Sequence, residues 1–112
     1  MWKLPRIFSK PATPLWRQGD VFIIALPNPP TGTRVDRRPV LAEGEATGHA
    51  HRLQDPGSAQ VFSVGAGLYL QVLANSATVL HEEHKPVTLP RGNYEVRIQR
   101  EYSPQAIRRV VD

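Results

Sequence analysis

The stretch Leu68-Tyr69-Leu70-Gln71-Val72-Leu73-Ala74, followed by Asn75-Ser76 and Ala77-Thr78-Val79-Leu80-His81, decides the fold class of this 112-residue chain. Its first seven residues are apolar or aromatic apart from Gln71, the composition of a core strand. Asn75-Ser76 reads as a hairpin turn, and residues 77–81 as the strand that pairs back.

The pattern repeats on both sides. Residues 21–26 form a continuous run rich in β-branched side chains, stopped by Pro27-Asn28-Pro29-Pro30-Thr31-Gly32. Residues 40–45, 49–53 and 59–64 read as further strands, with Asp55-Pro56-Gly57-Ser58 and Gly65-Ala66-Gly67 as turns. Residues 85–92 read as a turn-rich connector. Over residues 93–102 the period is two, with Tyr94, Val96 and Ile98 on the core side. Eleven prolines and eight glycines disfavour long helices. Ser103-Pro104 has the form of a cap followed by a first-turn proline, so a short C-terminal helix is expected over residues 104–111. The expectation is a single all-β domain, a β-sandwich or small barrel with that one helix. Residues 1–18 read as a proline-broken arm anchored by Trp2, Leu4, Ile7, Phe8, Leu15 and Trp16, and residues 19–112 as the β domain. The arm either packs across its own sheet or docks on a second copy or a protein partner, since tryptophan favours buried interfaces.

Composition closes several routes. There is no cysteine, hence no disulfide and no thiolate metal site. No apolar run approaches the roughly 20 residues that cross a bilayer, and residues 1–6 lack a secretory segment. A soluble cytoplasmic protein without membrane contact is the expectation. Residues 1–40 carry a net +5, residues 41–84 a net −4 and residues 85–112 a net +3. The acidic middle suits a cation better than a phosphate backbone, so nucleic acid is not expected there. Arg34, Arg37 and Arg38 form a basic cluster that reads as a solvated loop or as an anion contact. No nucleic-acid motif, phosphate loop or Gly-x-Ser-x-Gly elbow is present.

That acidic middle holds all four histidines, as His49-Ala50-His51 and His81-Glu82-Glu83-His84. Residues two apart on a strand share a face, so His49 and His51 point the same way. If the fold joins the two clusters, His49, His51, His81 and His84 form a site for a divalent metal such as zinc, iron, manganese or nickel. Glu43, Glu45, Glu82 and Glu83 are candidate oxygen ligands or acceptors that orient an imidazole, and Glu82 and Glu83 are candidate proton carriers. Three readings compete with this one. The histidines could serve packing alone, or act without metal as general acid and base on an anionic phosphodiester or acyl substrate, held by Arg37, Arg38, Arg97 and Arg100. The chain could also be a non-enzymatic assembly module that works through its arm.

Gly48 with the His49-x-His51 pair and the later histidines, on a β-rich chain of this size, resembles a reduced cupin. The resemblance implies a jelly-roll barrel in which His49 and His51 match the paired metal ligands and His81 or His84 the later one. The cupin glutamate shortly after the pair is missing here, and Pro90-x-Gly92 follows the second cluster where cupins have it before. The run from His81 through Leu89-Pro90-x-Gly92-x-Tyr94 to Gln99-Arg100-Glu101-Tyr102 also resembles small bacterial or phage-associated proteins, a likeness that transfers no activity.

Overall fold

Alternating apolar positions give each strand one face that must leave water, and in this molecule those faces meet in one core. A computed structural model describes residues 13–43 and 48–99. The strands are β1 (Leu15–Gln18), β2 (Val21–Leu26), β3 (Arg34–Asp36), β4 (Val40–Glu43), β5 (Ala50–Leu53), β6 (Ala59–Val64), β7 (Gly67–Leu80) and β8 (Val87–Ile98). All pair antiparallel in one sheet of order β1-β2-β8-β7-β5-β4, and β6 joins β7 and carries β3. Val21, Ile23, Leu41, Leu53, Val61, Leu70, Val79, Leu89 and Val96 are buried in a single cluster, so the sheet folds its inner face around one core. The domain is all-β. Among the described residues, no helix is long and apolar enough to cross a membrane.

β7 is the axis of the molecule, and it corrects the sequence reading. Asn75-Ser76 is not a hairpin turn, because the strand runs on for 14 residues. Its first half pairs with β6 and its last residues with β5, while β8 follows it along both parts. The local turn preference of Asn-Ser yields to pairing on two sides. The register shift between Val72 and Ser76 takes up the irregularity as a bulge. Arg91 braces that bulge, donating to the Ala74 carbonyl (3.2 Å) and to Asn75 Oδ1 (3.2 Å). Residues 77–80 therefore pair with β8 and β5, not with residues 68–74.

The expected connector over residues 85–92 is also largely strand, since β8 begins at Val87. Pro90 is tolerated there because β2 pairs only with residues 93–98 and leaves that part of β8 an edge. Arg34, expected in a solvated loop or anion contact, lies on β3 with its guanidinium 3.7 Å above the Phe62 ring. At the N-terminal side, the last four arm residues form edge strand β1 and belong to the domain. Trp16 packs on the chain's own core, edge-on to Tyr94 with ring centroids 5.6 Å apart. Arm residues 1–12, Glu45 and the expected helix over residues 104–111 lie outside the described residues.

Candidate metal centre

Three elements converge at one end of the core. β1 ends in Gln18, and the Gly19-Asp20 turn leads into β2; Gly19 makes that turn with φ +63°, a conformation glycine adopts without strain. β5 supplies His51, with His49 immediately before the strand. β7 ends at Leu80, so His81 to His84 follow as a short loop. β5 and β7 pair through Arg52–Leu80 and Leu53–Val79, which places the two histidine clusters side by side.

All four imidazoles meet there. The His81 ring lies 4.3 Å from that of His51, 4.6 Å from His84 and 5.6 Å from His49, centroid to centroid. The rings of His51 and His84 are parallel to within 11° at 6.2 Å. His51 is 2% exposed, whereas His84 lies at the surface. The ligand atoms that lie within 4.8 Å of one another belong to His49, His81 and Glu82.

Glu82 holds the loop against β5. One carboxylate oxygen accepts from the Ala50 N–H at 2.9 Å and the other from Arg52 at 2.6 Å. The Ala50 N–H, a hydrogen bond from its own backbone and the Arg52 guanidinium bring its pKa down to about 2, so it is an anion at neutral pH. Glu83 lies on the same rim: its carboxylate is 3.8 Å from His49 Nδ1, and its N–H donates to His81 Nδ1 at 3.0 Å.

Glu43 stands opposite Ala50 across the β4–β5 pair, but its carboxylate is engaged by Arg38 at 2.6 Å. Arg97 is paired with Glu95 on the same strand, so the expected anion holders Arg38 and Arg97 do not gather at the histidines. A cavity of about 660 Å³ opens between Leu15, Phe22, Ile24 and Leu68, with no histidine in its wall.

Sequence reading missed three participants. Gln18, 2% exposed, places Oε1 2.8 Å from His51 Nδ1. Asp20 Oδ1 lies 3.5 Å from His51 Nε2. Arg52 anchors Glu82. The one available signal was the parity of β1, which puts Gln18 on the face of Trp16; Asp20 reads only as a turn residue. No curated protein and no solved structure matches this chain. The chain belongs to the family described as Domain of unknown function (DUF8820), whose match over residues 17–99 takes in Gln18, Asp20 and all four histidines.

Proposed function

We propose that the domain binds a divalent transition metal at the histidine cluster, through His49, His81 and Glu82. The observation that carries this is the approach of those three donor groups to within 4.8 Å of one another, from two segments far apart in sequence. The chemistry of the set fits: two imidazoles and a carboxylate already ionised suit zinc, iron, manganese or nickel. Three protein ligands would leave a position open, and a cation there would polarise a water or a substrate oxygen. Glu82, with its low pKa, serves as a charged ligand, and proton transfer falls to Glu83 on the rim. His81 takes a cation at either ring nitrogen only after the Glu83 N–H releases Nδ1, because a neutral ring that accepts at Nδ1 carries its hydrogen on Nε2. Paired histidines at one strand and a later histidine at the end of another support the cupin-like reading.

A second reading, histidine acid–base catalysis without metal, is favoured by the Gln18–His51–Asp20 chain of contacts. Elemental analysis of protein purified without a His-tag separates the two. Metal in the wild type, lost in a folded His49→Ala/His51→Ala double variant, is the result expected. Metal-free wild type that stays metal-free after incubation with each candidate ion sinks the proposal in favour of the second reading.

A further inference from the structure

Two of the three proposed ligands, His81 and Glu82, sit in the loop that joins β7 to β8, so whatever closes that loop fixes them. The β7–β8 ladder runs as far as the Val79–Val87 pair. Pro86, next on the β8 side, has no N–H and donates nothing to a further rung. Gln18 reaches this neck from the end of β1. Its buried side-chain nitrogen lies 3.0 Å from the Val79 carbonyl and 2.9 Å from the Lys85 carbonyl. Carbonyls only accept, so the end of the side chain that faces both is the NH2 group, and each of its two hydrogens has a partner. The amide oxygen accepts from His51 Nδ1 at 2.8 Å, a hydrogen that an imidazolium or a neutral Nδ1–H ring supplies alike.

We propose that Gln18 is a positioning residue: its amide clasps the two sides of the β7–β8 loop and so holds His81 and Glu82 in place before a cation arrives. The clasp adds no ligand to His49, His81 and Glu82 and leaves the open position as it is. Its effect is one of preorganisation. A loose loop would lose its conformational freedom on binding metal and weaken the affinity by that amount, whereas a clasped loop has lost it on folding. At the tip of the loop the Ala50 N–H and Arg52 hold Glu82, so with Gln18 at the neck both ends are secured. Edge strand β1 carries none of the three ligands, yet through Gln18 it sets the position of two of them. The ligand-orienting half of this inference rests on the metal reading above, whereas the closure of the loop does not.

NMR and amide hydrogen exchange of the full chain test the clasp without metal first. In wild type both side-chain amide hydrogens of Gln18 should exchange slowly and show scalar coupling, across their hydrogen bonds, to the Val79 and Lys85 carbonyl carbons. Exchange as fast as that of an exposed glutamine overturns the inference, and this result needs no variant to fold. Gln18→Glu keeps an acceptor for His51 and offers at most one hydrogen to the two carbonyls. In that variant exchange at the amides of residues 81–85 should rise on the order of 10-fold. Its zinc affinity, read by competition with a chelator, should fall on the order of 10- to 100-fold, the usual effect of removing a group that orients a ligand. Leu89→Ala, a truncation in the buried core, should change neither readout while the protein stays folded, which separates a loosened loop from lost global stability. Loop amides that exchange no faster in Gln18→Glu overturn the clasp. Zinc bound as tightly by a loosened loop overturns the orienting half. If wild type binds no zinc while the loop loosens in the variant, the metal reading fails and the clasp stands.

Discussion

Replacing Gly19 by alanine tests the histidine cluster from its underside. Gly19 (φ +63°) and Gly65 (φ +58°) share the left-handed conformation, but their surroundings differ. A Cβ at Gly65 meets nothing within 4 Å, whereas one at Gly19 would stand 2.6 Å from His84 Nε2 and 2.9 Å from its Cδ2. The left-handed conformation costs an alanine about 1–2 kcal/mol. The stiffer unfolded chain returns about 0.4–1 kcal/mol. Gly65→Ala should therefore destabilise by about 1 kcal/mol net. Gly19→Ala adds the displacement of His84 from its rotamer, about 0.5–1.5 kcal/mol, for a total of about 2 kcal/mol. At about 4–8 °C per kcal/mol for a domain of this size, melting temperatures should fall by about 6 °C and about 12 °C respectively. Thermal and urea denaturation followed by circular dichroism measure both. Zinc affinity, read by competition with a chromophoric chelator, should stay at the wild-type value in Gly65→Ala and weaken on the order of 10-fold in Gly19→Ala, because the displaced His84 ring packs 4.6 Å from that of the ligand His81. Equal destabilisation together with equal zinc affinity in the two variants would refute the seating of His84 on Gly19.

Further outcomes follow from the core and from the loop that bears His81. Leu89, fully buried, should cost about 2–5 kcal/mol on truncation to alanine, read as the shift in urea midpoint at unchanged slope. Glu82 is more acidic in the folded chain (about 2) than its ordinary 4.5, so its contribution is full above the ordinary value and is lost as pH falls from there toward 2. Wild type and Glu82→Gln should thus differ in stability at neutral pH and converge in acid; a gap that does not change with pH contradicts the tethering role. Zinc should speed hydrogen exchange at the Glu83 amide, because that N–H must leave His81 Nδ1 for the ring to bind metal. Slower or unchanged exchange in zinc-loaded protein speaks against His81 as a ligand.

The two histidine clusters were visible before any coordinates, because paired histidines at strand spacing are a local pattern. Gln18 was not, although its Oε1 is within hydrogen-bond distance of His51 Nδ1. Its other partners, Val79 and Lys85, are 61 and 67 residues away in sequence. Asn75-Ser76 fails for the opposite reason. The dipeptide has a true turn preference, but hydrogen bonding on both sides of β7 outweighs a bias worth a fraction of that pairing.

By itself the sequence determined that this chain builds strands, since period-two alternation and proline-glycine punctuation act between neighbours in the chain. It also determined that the histidines come in two groups within an acidic stretch. Tertiary structure alone decided that β7 runs unbroken between two sets of partners, that β5 lies against its far end, and that His49, His81 and Glu82 therefore face one another. Strand order and the meeting of side chains depend on which distant segments bury their apolar faces together, and that choice is made by the whole core at once.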